Sequence, residues 1–131
     1  MSVDRTRNMD TRSILWQVID PRGLSIILAH ESWEHAILHH PEIADFLPQV
    51  QLTVQDPDAI YYDPKSTESR DTGAIVYWYV KRNLLSGALE QDLLGVVVKV
   101  VIENSSKQGY VSTALPIDKP LTRLVLQWIK N

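Results

Sequence analysis

Leu93-Leu-Gly-Val-Val-Val-Lys-Val-Val-Ile-Glu103 is the stretch on which the reading of this chain turns. Leu94, Val96, Val98, Val100 and Ile102 alternate onto one wholly apolar face, and Lys99 and Glu103 lie on the other. A period of two in β-branched residues predicts a strand, and an apolar face this long predicts a central one. Upstream, residues 74–82 alternate in the same way. Val76, Trp78 and Val80 share one face, and Ile75, Tyr77, Tyr79 and Lys81 the other. Downstream, a turn over 104–109 leads into Tyr110-Val-Ser-Thr-Ala-Leu115, which pairs back as a hairpin.

Further out, Ser13-Ile-Leu-Trp-Gln-Val-Ile19 and Leu24-Ser-Ile-Ile-Leu-Ala29 flank Asp20-Pro21-Arg22-Gly23. Asp, Pro and Gly at those positions suit a type I turn, so a second hairpin is expected. Trp33, Ala36, Ile37 and His40 recur at helical spacing and predict a helix over 31–39. Pro41 ends it and opens a short helix to 47, and Pro48 opens a third to 55. A turn at 56–58, a strand at 59–62 and a mobile surface loop over 63–73 follow. A Gly-containing linker spans 83–92. Residues 120–130 read as a C-terminal helix through Leu121, Leu124, Val125 and Trp128. Helices and strands are segregated along the chain, which predicts an α+β fold with an antiparallel sheet packed on helices. Residues 1–12 read as a flexible tail and 13–131 as a single domain.

Composition narrows the function classes. The 131 residues are 44% apolar and 22% charged, which suits a globular domain. The absence of cysteine excludes disulfides, thiolate metal sites and cysteine nucleophiles. No apolar run approaches the roughly 18 residues of a membrane span, and the N-terminus lacks a signal-peptide core, so a cytoplasmic protein is expected. The net charge of −3 is unevenly placed: residues 1–65 carry 5 Lys/Arg against 10 Asp/Glu, and 66–131 carry 8 against 6. Any affinity for nucleic acid has to come from a local patch.

All four histidines fall within eleven residues, in His30-Glu-Ser-Trp-Glu-His35-Ala-Ile-Leu-His39-His40-Pro41-Glu42. His35 and His39 are four apart on a helix, and Glu31 precedes His35 by four, a spacing that puts ligands on one face. The zincin pattern needs Glu directly after the first His, where Ala36 stands, and the inverted pattern needs His at the position of Glu31. No metal and no cofactor are therefore expected. Acid/base chemistry needs less. In RNA cleavage the ribose 2′-OH is the nucleophile, so the protein supplies only proton transfer and charge stabilisation. His35, His39 and His40 offer the imidazoles, Lys81, Arg82 and Lys99 the cations, Ser112 and Thr113 the hydroxyls, and Tyr77 and Tyr79 rings for stacking on bases. The plainer reading of the same residues is an aromatic stripe filling a sheet face, snorkelling strand lysines and polar surface histidines. At about 100° per residue His40 lies about 140° from His35, so the two converge only if the chain bends at Pro41.

The order Trp33-Glu-His35-Ala-Ile-Leu-His-His40-Pro41-Glu42, then Asp56-Pro57-Asp58-Ala-Ile60, then Tyr110-Val-Ser-Thr113-Ala114 resembles the toxin-like nucleases of the Barnase–EndoU–colicin–RelE superfamily. The closest likeness is to small phage and polymorphic-toxin members, and it covers roughly residues 30–115. The resemblance implies N-terminal helices packed on a four-stranded antiparallel sheet, and metal-independent cleavage of RNA, often tRNA. By position it implies His35 and His40 as the histidines, Thr113 as the strand hydroxyl, and Lys99 or Lys81 as the cation. Two departures stand out: Ala36 replaces the Ile that many members carry after the first His, and the chain is acidic where such toxins are frequently basic. The resulting expectation is an endoribonuclease-like protein. Its catalytic residues would be His35, His40, Lys99 and Thr113, with Tyr77, Tyr79, Lys81 and Ser112 binding substrate. Its expected partners are tRNA-like RNA and a protein such as an inhibitor, with no membrane. The alternative is a non-catalytic protein-binding or accessory domain of the same fold.

Overall fold

The computed structural model of the chain describes residues 13–68, 73–82, 93–119 and 121–131. Its elements run β1 (Ile14–Ile19), β2 (Ser25–Ala29), α1 (His30–His39), a 3-10 turn (Pro41–Ile43), α2 (Leu47–Gln55), β3 (Ala59–Tyr62), α3 (Pro64–Glu68), β4 (Ile75–Arg82), β5 (Leu93–Glu103), β6 (Ser106–Pro116) and β7 (Val125–Ile129). The tail expected over 1–12 and the linker over 83–92 lie outside the described residues.

The strands form one sheet in the order β1-β2-β6-β5-β4-β3-β7. The α+β class holds, but the four-stranded antiparallel sheet is overturned: there are seven strands, and β2 runs parallel to β6 while every other neighbour is antiparallel. The N-terminal hairpin does not sit apart from the sheet. It extends it, because β6, paired with β5 along one edge, offers its other edge at Gly109 and Tyr110 to Ile26 and Ile27. Gly109 makes that contact possible, since a Cβ there would meet the Ile26 side chain at 2.9 Å and the Ser25 carbonyl at 3.3 Å.

β5 is central, as its alternation predicts. Leu94, Val96, Val98 and Val100 are buried on the face covered by the helices, and only Ile102, at the hairpin end, is exposed. They pack with Ile26, Leu28, Ile60 and Tyr79 of the sheet, and with Trp33, Ala36, Ile43, Val50 and Val54 from α1, α2 and their connection. At roughly 25 cal/mol per Å² of apolar surface, this face dominates the stability. The opposite face holds a smaller cluster of Ala59, Val80 and Ile117, with Tyr61, Trp78, Leu93 and Leu121 against it. Between β5 and β6 the chain turns through Asn104 and Ser105, both at positive φ (51° and 67°), the twist that tight antiparallel hairpins favour.

Three expectations for local structure need correction. Residues 41–47 form only one 3-10 turn, and α2 begins at Leu47 with Pro48 in its first turn, burying Val50, Thr53 and Val54 on one side. The surface loop expected from 63 contains α3, because Asp63 accepts hydrogen bonds from the Ser66 amide (3.0 Å) and hydroxyl (2.9 Å), while Pro64 presets the first turn. The C-terminal helix is instead strand β7, paired along the outer edge of β3. Tertiary context outweighs the helical spacing there. Arg123 is tied to the fully buried Asp63 at 2.8 Å, and Lys130 bonds back to the Asp58 carbonyl at 2.9 Å, so both ends of the segment are held beside β3. Among the described residues, no helix is long and apolar enough to cross a membrane.

Asp63 joins these parts. Burial pushes its carboxyl up, but the hydrogen bonds from Ser66, Arg123 and Trp78 outweigh this and leave it below the ordinary carboxylate value. A lowered folded-state value means that its contribution is complete above the unfolded value of about 3.9 and is lost as pH falls through the folded one. Asp63→Asn is therefore expected to lower stability by about 2–3 kcal/mol at pH 7, as read by urea unfolding. The loss should shrink as pH falls below the unfolded-state value of about 3.9 and through the lower folded-state one.

Candidate active site

The histidine segment reaches the sheet through α1. β2 pairs with β6 only at Ile26–Gly109 and Ile27–Tyr110, and the chain then passes directly into α1, which packs chiefly on β6. Trp33 and Ala36 turn into the core. Glu31, Ser32 and His35 instead line an open cleft of about 350 Å³ together with Lys99, Tyr110, Val111 and Ser112.

Strand register supplies the other wall. Lys99 and Tyr110 are directly opposite across β5 and β6, and the Tyr110 hydroxyl donates to Glu103 at 2.9 Å. The register shifts between Val97, opposite Thr113, and Val98, opposite Val111, which leaves Ser112 as the extra residue of a β-bulge. Such a bulge re-aims side chains beside it. Here the Ser112 side of the bulge opens into the cleft. An imidazole, an ammonium, a hydroxyl and an aromatic ring thus border one solvent-open space, a set able to move a proton and to stabilise charge on an oxyanion.

Of the expected catalytic residues, the cleft brings together His35 and Lys99. Thr113 lies on the sheet face of Lys99, opposite Val97, but does not line the cleft, and its neighbour Ser112 does. His40 is half-buried at the C-terminal end of α1, where its amide donates to the Ala36 carbonyl at 2.8 Å and its own carbonyl accepts from Ile43 at 3.1 Å. The bend at Pro41 does not bring it to the cleft. The imidazole nearest His35 is His39, with ring centroids 4.5 Å apart in an edge-on arrangement. His30 pairs instead with Glu34 at 2.7 Å.

The residues expected to bind substrate are dispersed. Lys81 is held by Asp56 (3.2 Å) and Asp58 (3.6 Å), and also bonds to the Asp56 carbonyl at 2.7 Å. Hydrogen bonds from Lys130 and Lys81 hold the Asp56 carboxyl below its ordinary value. Tyr79 has no exposure, and its hydroxyl donates to Asp20; burial and that carboxylate push the phenol far above its usual range. It therefore has no ring face to offer a base. Tyr77 packs under Arg22, away from the cleft. Tyr110 is the aromatic residue that sequence reasoning passed over, and its alternation with Val111 on β6 was the available signal. Among the described residues, no group of three or more His, Asp and Glu side chains is arranged to hold a metal ion. Comparison of the chain with family models, with curated proteins and with solved structures finds no match.

If His35 and Lys99 share a cleft, inorganic phosphate should shift the His35 ring resonances in a proton–carbon NMR titration. Lys99→Gln should weaken that response about tenfold, since a charge-assisted contact is lost.

Proposed function

We propose that this protein is a metal-independent endoribonuclease of the toxin-like kind, acting on tRNA-like RNA in the cytoplasm. The observation that carries the reading is the convergence of His35 from α1 with Lys99 and Ser112 from the sheet in one open cleft. The roles follow from the chemistry of the groups. His35 takes the proton from the ribose 2′-OH or delivers one to the departing 5′-oxygen. Lys99 stabilises the phosphorane charge, and Ser112 donates a hydrogen bond to a phosphate oxygen. The Tyr110 ring offers a platform for a flanking base. His39, beside His35, is the candidate for the complementary acid or base, in place of His40. A cleft built in this way needs no metal, because the attacking and leaving oxygens belong to the RNA itself. The motif order that resembles a Barnase–EndoU–colicin–RelE nuclease supports the same activity and the roles of His35 and Lys99, while His39 and Ser112 stand in for the His40 and Thr113 that it implies.

A second reading, a non-catalytic protein-binding domain, draws on the outer edge of β7, where Val125, Leu126 and Ile129 are exposed. An unpaired strand edge of that character favours partner strands.

Incubation of the purified chain with total tRNA in EDTA separates the two. The nuclease reading predicts cleavage leaving 2′,3′-cyclic phosphate ends, with His35→Ala slower by about 100-fold or more. Absence of cleavage, or cleavage undiminished in His35→Ala, would overturn it. A defined oligomer by light scattering together with no RNA affinity would favour the second.

A further inference from the structure

A second cavity, of about 430 Å³, opens between the β1–β2 turn, β4 and the β5–β6 hairpin, lined by Arg22, Leu24, Tyr77, Val100, Ser106 and Lys107 among others. The cavity shares no lining residue with the cleft that holds His35 and Lys99. Two cations and a hydroxyl border it, and no carboxylate is in its lining. The remaining walls are apolar or aromatic.

Arg22 is fixed before any ligand arrives. Asp20, its side chain fully buried, accepts from the Arg22 amide at 2.8 Å and the Leu24 amide at 2.9 Å, and also from the Tyr79 hydroxyl. The Arg22 guanidinium lies 4.9 Å above the centre of the Tyr77 ring, and its Nε is 3.9 Å from Asp20. Stacked below and anchored at one side, the side chain is still 30% exposed and lines the cavity. Gly23, at φ 86°, makes the turn that brings Arg22 there, and a side chain at 23 would meet nothing within 4 Å.

We propose that this cavity binds a small organic phosphate, of which a nucleoside monophosphate is the representative. The phosphate sits on Arg22 and Lys107 with a hydrogen bond from Ser106, and its flat body lies against Leu24, Val100 and the Tyr77 side. A charge-assisted fork suits the phosphate dianion. The volume lies within the range of small-molecule sites, and apolar walls favour a base over a bare sugar. The site does not depend on the nuclease reading.

Isothermal titration of the full chain with AMP, adenosine and ribose 5-phosphate tests it. AMP should bind at least about tenfold more tightly than either of the other two, and Lys107→Gln should weaken it by a similar factor. Lys107 is exposed on a hairpin, so its replacement leaves the fold intact; Arg22→Gln, verified as folded by circular dichroism, should weaken AMP further. His35→Ala should leave AMP affinity unchanged, which separates this site from the cleft. No AMP binding, equal binding of adenosine or ribose 5-phosphate, or AMP affinity unaltered in both cation variants would overturn the proposal.

Discussion

The short parallel contact between β2 and β6 is the constraint on which the molecule depends. Two residue pairs, Ile26–Gly109 and Ile27–Tyr110, fasten the N-terminal hairpin to the main sheet. Had the pairing run longer, β2 would have occupied the edge of β6 that α1 now takes. Because it stops there, the chain enters α1 beside β6, and one helix turns Trp33 and Ala36 inward while Glu31, Ser32 and His35 meet Lys99 across a cleft. The contact rests on one glycine, since Gly109 lets the Ile26 side chain approach closer than a Cβ would permit.

Two buried carboxylates extend this frame to the edges. Asp20 ties the β1–β2 turn to Tyr79 of β4, two strands beyond β6, and so braces the hairpin against the far side of the core. Asp63 performs the matching task at the other end, where it caps α3, receives the Trp78 indole at 3.0 Å and pairs with Arg123 ahead of β7. Both are carboxylates taken out of water, which is costly unless every oxygen finds donors. Here each does. The acidic balance of the first half is thus partly internal, and net charge is a poor guide to what the surface will bind.

Much of this was legible in the chain. The alternation through 75–82 and 93–103 identified β4 and β5 and the inward face of β5, and the Asp20–Gly23 turn identified the first hairpin; that Tyr79 faces the core rather than a base was not read. The number of strands was not legible, because joining β2 to β6 is a long-range choice made by an edge and a glycine rather than by local pattern. The last strand was hidden for a similar reason: Leu121, Leu124, Val125 and Trp128 do carry helical spacing, and long-range contacts, the pairing with β3 and the ties of Arg123 to Asp63 and Lys130 to Asp58, decide otherwise. At the site, two of the residues singled out in the sequence, His35 and Lys99, line one cleft. The bulge that brings Ser112 rather than Thr113 to the cleft, and the half-buried position of His40, arise from register and packing that no motif encodes.

The claim at the centre of this account is that α1 and β5 build one catalytic cleft, so that His35 and Lys99 act on the same phosphate. A double-mutant cycle on the rate of tRNA cleavage tests it most directly, using His35→Ala, Lys99→Gln and the pair. The account predicts that the double variant is little slower than the slower single variant, because groups that act as a unit fail together. Losses that multiply independently, or a native chain with no cleavage to lose, would contradict it.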